Sequence, residues 1–239
     1  MMLSFHGELE VKQKYAVARV EACQKGGKII RIADRSASKE RSSERIPVPN
    51  DYSRYPFDYG LPKWLTNLED ILLDTMSEGR AVLWLSEYVT AIPVGISEED
   101  LTQRVKAPFL LIVMEIALSS FDNGKYPDCA KAIETSMALW KRDDIGSKAW
   151  EAAALAARNK GDNDEKETEQ TAWLVIAAIW AATGRPAPAA RGVIGAAAAA
   201  ALWKGGRPVA IAKKTDYFAA ELLNLMRDLE PGEIEILKT

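Results

Sequence analysis

The stretch RGVIGAAAAAALWKGG, Arg191 to Gly206, places six consecutive alanines, Ala196 to Ala201, behind two glycines and ahead of Trp203. Alanine has the highest helix propensity, and the run offsets the roughly 1 kcal/mol that each glycine costs inside a helix. Because no face of such a helix carries a bulky side chain, neighbouring backbones can approach it closely. The stretch therefore predicts the central helix of a compact bundle, with the tryptophan filling the space at its end.

The apolar runs of the chain are too short to cross a membrane. The longest, Ala172 to Ala182 and Gly192 to Trp203, fall short of the roughly 20 residues that a membrane-spanning helix needs. The N-terminus has no basic region followed by an apolar one, so no signal peptide is expected. With only two cysteines, Cys23 and Cys129, the composition is typical of a reducing compartment. We expect a cytoplasmic protein that does not bind membranes.

Helical periodicity on both sides of the alanine run predicts an all-α fold, a multi-helix bundle with an alanine-rich C-terminal helical array. Of the 36 alanines, 24 lie between Ala149 and Ala220. We divide the chain into an N-terminal helical region, residues 1–125, and an alanine-rich bundle, residues 126–239, packed as one continuous unit. The predicted helices cover 8–24, a segment from Pro62, 81–90, a capped start at Ser97, the apolar segment after Pro108, 128–142, 147–159, 167–183, 187–204 and 215–228.

A basic segment interrupts the N-terminal region. Residues 25–45 hold seven basic and three acidic side chains and no apolar period, which predicts a mobile surface loop. The next residues, 46–62, carry four prolines and are predicted to be irregular rather than helical. Basic residues near tyrosines are typical of single-strand nucleic-acid surfaces, and the candidate contacts are Lys28, Arg31, Arg35, Lys39 and Arg41. The net charge of −3 nevertheless disfavours nucleic acid as the partner.

The residues for common catalytic and cofactor chemistries are missing from the sequence. The single histidine, His6, lies near the N-terminus and has no serine or cysteine partner at a usable spacing. Two cysteines and one histidine give no zinc spacing, and no glycine-rich phosphate-binding pattern occurs. Glu69, Asp70 and Asp74 could pair for acid and base work, but Asp70 and Asp74 share the face opposite the apolar stripe, which predicts solvent exposure. We therefore predict no catalytic residue, no metal and no cofactor.

Four residues remain as candidates for a ligand pocket. Tyr52, Tyr55 and Tyr59 crowd the proline-rich stretch, and Glu115 lies within an apolar helix, where a carboxylate needs a partner. A buried carboxylate beside an aromatic-lined cavity would favour a small-ligand binder or an enzyme.

Several short N-terminal motifs occur together and in a fixed order. They are His6–Gly7, Lys14–Tyr15, Ala18–Val20, Gly60–Pro62, Leu68–Asp70 and Ala91–Gly95. In the identity and order of these motifs, the chain resembles a family of uncharacterised bacterial and phage-borne proteins. The members of that family continue into an alanine-rich helical tail. That family has two cysteines and a histidine after its first helix, whereas residues 29–59 here have neither. The resemblance implies a helical fold and a mobile-element setting, and it transfers no catalytic residue.

Three classes of function stay open at this point. We favour a non-enzymatic, cytoplasmic helical interaction protein that binds another protein, such as a phage or mobile-element accessory factor of the inhibitor or immunity type. The first alternative is a small-ligand binder or enzyme that uses the tyrosines and Glu115. The second alternative is a nucleic-acid-binding regulator that uses the basic segment.

Overall fold

The computed structural model of the protein describes residues 2–24, 55–76, 78–120, 127–140, 177, 180–181, 184–201 and 207–229. This part is 87% helical and contains no strand, which confirms the predicted all-α fold. None of the helices described there is long and apolar enough to cross a membrane. The predicted loop at 25–45 and the predicted helix at 147–159 lie outside these residues, as does most of the helix predicted at 167–183.

The helices within the described residues begin and end as follows. They are α1 (Leu9–Gln24), α2 (Tyr55–Tyr59), α3 (Lys63–Thr75), α4 (Glu78–Ala91), α5 (Glu98–Leu101), α6 (Ala107–Ser120), α7 (Pro127–Trp140), α8 (Pro186–Ala201) and α9 (Arg207–Arg227). A π-helical turn, Thr102–Lys106, joins α5 to α6.

The chain divides into two compact units. Unit 1 comprises Met1–Leu101 together with Met226–Thr239, and unit 2 comprises Thr102–Leu225. In unit 1, α1 packs along α4, and α2 contacts α3. In unit 2, α6 packs against α7 and α8. The rings of Phe109 and Phe218, on α6 and α9, are fully buried in unit 2 with their centroids 5.6 Å apart.

The core of unit 1 is built on α3 and α4. Three leucines of α3 recur at the predicted helical spacing and are fully buried: Leu65, Leu68 and Leu72. On α4, Trp84 and Tyr88 are fully buried and stacked, with ring centroids 4.8 Å apart. Large aromatic and aliphatic side chains thus exclude water from the interior against which α1 packs.

The start of α5 follows its sequence signal. The Oγ of Ser97 accepts a hydrogen bond from the backbone N of Asp100 at 3.0 Å and donates one to the Asp100 carboxylate. This side chain therefore satisfies an amide that has no partner within the helix. Three acidic residues in the first turn also suit the positive end of the helix dipole. The predicted capped start is confirmed.

Two predicted boundaries are wrong because proline is tolerated in the first turn of a helix. The last helix was expected from Thr215, but α9 begins at Arg207, with Pro208 as its second residue. Likewise α2 lies within the stretch predicted to be irregular, and Pro56 is its second residue. In both helices the amide that proline lacks would have had no partner within the helix.

The alanine-rich helix α8 shows the close backbone approach that the sequence predicts. A Cβ added at Gly192 would lie 2.8 Å from the Cβ of Ala177 and 2.9 Å from its Cα, closer than carbon atoms pack. Ala196 and the nearby Ala189 and Ala190 are buried. The side chains of residues 198–200 lie outside the described part of the chain. The prediction of a slim, closely packed helix is thus confirmed at the glycine end of the run.

Candidate functional site

Ser4 fixes the N-terminal segment of unit 1 to the turn that follows α4. Its backbone N donates to the O of Ile96 at 2.8 Å, and its backbone O accepts from the N of Gly95 at 3.0 Å. The hydroxyl donates to the O of Pro93 at 2.5 Å and accepts from the N of Ile96 at 3.0 Å. These four hydrogen bonds bring the two ends of the N-terminal sequence pattern together.

The next residues form a left-handed turn. Phe5 and His6 have φ values of 51° and 53°, a conformation that costs a residue with a side chain roughly 1–2 kcal/mol. Complete burial of the Phe5 ring, 5.8 Å from the ring of Tyr15, offsets this cost. His6 stays exposed, and its Nε2 lies 2.8 Å from the O of Phe57, a hydrogen bond that connects the turn to α2.

Lys12 connects α1 to the C-terminus of α4. Its Nζ donates hydrogen bonds to the O of Thr90 at 3.0 Å and to the O of Ile92 at 2.6 Å. A cation at this position is favourable, because the last carbonyls of a helix have no partner within the helix and carry partial negative charge. Partial burial lowers the pKa of the amine. The contact holds α1 at the C-terminal end of α4.

A buried charged cluster lies where α1 meets α3. The Nε of Arg19 donates to Oε1 of Glu69 at 2.8 Å, and its second guanidinium nitrogen lies 2.8 Å from both Oε1 of Glu69 and Oδ1 of Asp70. The hydroxyl of Tyr15 donates to Oε2 of Glu69. Glu69 is fully buried, and Arg19 and Asp70 are each less than a tenth exposed. These four residues, with Tyr88, are called the acid cluster below.

The burial of Asp70 corrects the expectation from periodicity. This residue was predicted to face solvent, because its position on α3 lies opposite the leucine stripe. The structure shows that α3 is buried on this side as well, since α1 covers it. A single guanidinium makes this burial tolerable by pairing with both carboxylates. Sequence periodicity reports one apolar face and gives no signal for a second face that is buried through ion pairing.

Burial changes the acid–base behaviour of the acid cluster. It raises the pKa of Glu69; the guanidinium of Arg19 lowers that pKa again, and the charge of Asp70 raises it. Burial also raises the pKa of Tyr15 and of Tyr88 well above the usual value for a phenol, and the carboxylate of Glu69 adds to both shifts. The tyrosines therefore stay neutral.

Two atoms of the acid cluster have no hydrogen-bond partner. They are Oδ2 of Asp70 and the hydroxyl oxygen of Tyr88, and both are buried. The charges of Glu69, Arg19 and Asp70 all act on the phenol of Tyr88, so it lies close to them. Leaving such groups unpaired costs about 1–3 kcal/mol each. The cluster therefore carries a higher energetic cost than a fully paired network of the same size.

The structure describes the side chains of two of the four predicted ligand residues, Tyr59 and Glu115. Tyr59, on α2, meets Tyr15 edge to face with ring centroids 5.0 Å apart. Tyr55 is also on α2, but its side chain is outside the description, and Tyr52 lies outside the described residues altogether. Glu115 belongs to unit 2. The proposed nucleic-acid contacts, Lys28, Arg31, Arg35, Lys39 and Arg41, all lie outside the described residues.

Glu115 does not need the buried partner that the sequence suggested. It lies on the exposed side of α6, which is therefore not buried all round. Its charge helps to raise the pKa of Tyr217 on α9, with partial burial as the larger cause and Glu221 as a further one. Tyr217 is itself 42% exposed. The carboxylate thus faces a solvated tyrosine, and not an enclosed pocket.

A shallow groove of about 450 Å³ runs along unit 1. Its walls are the outward face of α4, at Ser86, Glu87 and Thr90, and the end of α9 with the residues after it, at Arg227 and Leu229. Glu87 and Arg227 form an ion pair of 3.3 Å, and both side chains are about half exposed. Neither Tyr59 nor Glu115, the two predicted ligand residues whose side chains are described, lines this groove.

The outward side of α1 carries two exposed aliphatic residues. Leu9 is 61% exposed and Val17 is 57% exposed, while Tyr15 and Arg19 of the same helix are buried. Positions 9 and 17 lie within about 80° of each other around a helix, so they share one broad side of α1. We call Leu9 and Val17 the α1 outer face.

Comparison with protein-family models, with curated proteins and with solved structures finds no match to this chain. The features that bear on function lie on the two sides of α1: the acid cluster on its inner side, and the exposed Leu9 and Val17 on its outer side.

Proposed function

We propose that the protein is a non-enzymatic interaction module and that the α1 outer face contacts a partner protein. The observation that carries the proposal is the pattern of burial on α1. Tyr15 and Arg19 of this helix are buried, whereas two of its aliphatic residues, Leu9 and Val17, are exposed. Leu9 and Val17 lie about two turns apart on one broad side of α1, so both can enter a single contact with a partner protein. The helix is also anchored at both ends of its inner side, through Lys12 and Arg19.

Phe57 extends this surface toward α2. Its side chain is 80% exposed, and its backbone O receives the hydrogen bond from His6, three residues before Leu9. Aromatic side chains are enriched among the residues that dominate binding energy at interfaces. An accessory factor of the inhibitor or immunity type, in the cytoplasm of a bacterium that carries a phage or mobile element, would use such a rigid helical surface to bind its target.

Affinity capture with surface variants tests the proposal. The bait is the full chain, either unchanged or with Leu9→Gln and Val17→Thr, which keep the side-chain size and replace apolar groups by polar ones. If both side chains are buried in the interface, their loss removes roughly 3 kcal/mol, equivalent to about a hundredfold weaker binding. We expect one protein to be retained by the parent and lost by the double variant.

The control places the same two substitutions at equally exposed positions elsewhere. Leu83→Gln on α4 and Val209→Thr on α9 alter side chains that are 63% and 59% exposed. This control should retain the same protein as the parent. Equal retention by both double variants, with native circular dichroism for each, would refute the assignment of the interface to α1.

One observation favours the small-ligand alternative. Two buried carboxylates lie beside the rings of Tyr15 and Tyr88, the kind of juxtaposition that occurs in ligand sites. A thermal-shift screen of small cationic and polar compounds against the parent and Glu69→Gln tests it. A compound that stabilises the parent alone would support ligand binding at the acid cluster, and equal effects on both proteins would reject it.

A further inference from the structure

The acid cluster holds more acidic than basic groups. The described groups that face one another in it are Tyr15 and Arg19 from α1, Glu69 and Asp70 from α3, and Tyr88 from α4. One guanidinium thus faces two carboxyl groups, and the two phenols are neutral. With both carboxyl groups ionised, the cluster would enclose a net charge of −1. Protein interiors disfavour such an uncompensated charge strongly.

We propose that the acid cluster binds one proton, which Glu69 holds in the folded protein and releases on unfolding, and that this proton stabilises the docking of α1 on α3. With Glu69 a neutral acid, Arg19 and Asp70 form a one-to-one ion pair and the cluster as a whole is neutral. The proposal concerns the inner side of α1 and is independent of any partner on the α1 outer face.

The hydrogen bonds of Glu69 accommodate a proton on Oε2. A phenol oxygen accepts as well as donates, and its hydrogen rotates to suit. The contact between Tyr15 and Oε2 therefore persists when Oε2 becomes the donor. Oε1 remains an acceptor for Arg19 in either state, so the 2.8 Å contacts with the guanidinium are kept. Protonation thus changes the charge of the cluster and keeps these contacts between heavy atoms, while the phenol hydrogen of Tyr15 turns away from Oε2.

We place the proton on Glu69 because its side chain is the more enclosed of the two carboxyl groups. The side chain of Glu69 is fully buried, whereas that of Asp70 is 7% exposed. Removal from water disfavours the ionised form most where the carboxyl group is most enclosed. In agreement, burial raises the pKa of Glu69, against the opposing effect of Arg19.

The direction of the pH effect follows from this excess proton. Above about pH 4.3, the usual pKa of a glutamate, the unfolded chain has lost the proton while the folded chain retains it. Stability falls with rising pH wherever the folded state binds more protons. One proton of difference changes the unfolding equilibrium constant tenfold per pH unit. The contribution of Glu69 to stability is therefore greatest in acid and is lost as the pH rises to its pKa in the folded state.

Glu69→Gln provides the test, because glutamine imitates the neutral acid. Its side-chain O can accept from Arg19 and its amide can donate to the oxygen of Tyr15. Hydrogen exchange of the α1 amides, measured from pH 5 to 8 and corrected for intrinsic rates, reports the opening of this part of unit 1. We expect the ratio of the parent's opening constant to that of the variant to rise with pH, by up to tenfold per unit. Glu87→Gln, which removes one partner of an exposed ion pair, serves as the control and should show a constant ratio.

Asp70→Asn is a second, independent test, which remains available if Glu69→Gln does not fold. In this variant Glu69 is the only carboxyl group left to balance Arg19, so it should ionise, and the rise of the ratio between pH 5 and 8 should disappear. The carboxyl carbon resonance of Glu69 in ¹³C-labelled parent protein then shows directly whether the group is protonated at pH 6. A ratio that stays constant or falls with pH, or a resonance typical of a carboxylate at pH 6, would overturn the proposal.

Discussion

Gly60 is the position at which the docking of the N-terminal segment can be tested most sharply. Its φ of +62° is a conformation that glycine adopts freely and that costs alanine roughly 1–2 kcal/mol. A Cβ at this position would lie 2.0 Å from the backbone O of Leu3 and 3.0 Å from the backbone N of His6. Since both contacts are to backbone atoms, no side-chain rotation relieves them. Gly60→Ala must therefore displace the segment around Leu3.

The size of the effect follows from what that displacement breaks. Moving Leu3 disturbs the adjacent Ser4, whose four hydrogen bonds to residues 93–96 contribute about 1 kcal/mol each. Together with the backbone conformation, we expect a loss of roughly 4–6 kcal/mol, a large part of a typical stability of about 5–15 kcal/mol. The loss should appear in urea unfolding followed by circular dichroism, and the amides of Gly95 and Ile96 should lose protection from exchange.

A matched substitution separates this effect from the general consequence of replacing a glycine. Gly79, near the start of α4, has nothing within 4 Å of an added Cβ. Gly79→Ala should be neutral or stabilise the protein by up to about 1 kcal/mol, because alanine favours helix. If Gly60→Ala unfolds within about 1 kcal/mol of the parent, the N-terminal segment is not held against Gly60 and the proposed arrangement of unit 1 is wrong.

Two further predictions concern the interior of each unit. Arg19→Met leaves the two carboxyl groups of the acid cluster without this cation. The free energy of unfolding in urea should fall by about 3–5 kcal/mol, and by more at pH 8 than at pH 5. A fall of less than about 1 kcal/mol would mean that the ion pairs are not enclosed. Gly192→Ala forces α8 away from Ala177 and should lower stability by about 1–3 kcal/mol despite the better helix propensity of alanine; a gain in melting temperature would show that the two backbones are not in contact.

Periodicity and helix-start signals were sufficient to predict most of the fold. The leucine spacing of α3, the Ser97 cap and the glycine-alanine composition of α8 each act through local physics, so the sequence alone exposes them. The start of α9 was missed because Arg207 and Pro208 follow two glycines and looked like a continuation of that loop. A proline indicates the first turn of a helix only when the residues that follow it also favour a helix.

The acid cluster could not be predicted from local sequence. Glu69 and Asp70 look like ordinary surface residues of α3, and only the approach of Arg19 from a helix fifty residues earlier makes their burial possible. The spacing of Tyr15 and Arg19, four residues apart on α1, was the one available hint that a charged residue shares a face with a core aromatic. The exposure of Leu9 was equally hidden, because an aliphatic residue on a helix gives no local sign of which side will be covered.

The discontinuity of unit 1 constrains the order in which the protein can fold during synthesis. At the usual ribosomal rate of about 5–20 residues per second, residues 102–225 take roughly 6–25 s to produce, and only then do Met226 and Leu229 exist to enter the interior of unit 1. Until that time the groove side of α4 lacks part of its covering. A nascent chain therefore passes through a period in which apolar surface near α4 is open to chaperones, proteases or another copy of itself, and slowing translation within unit 2 should lengthen that period.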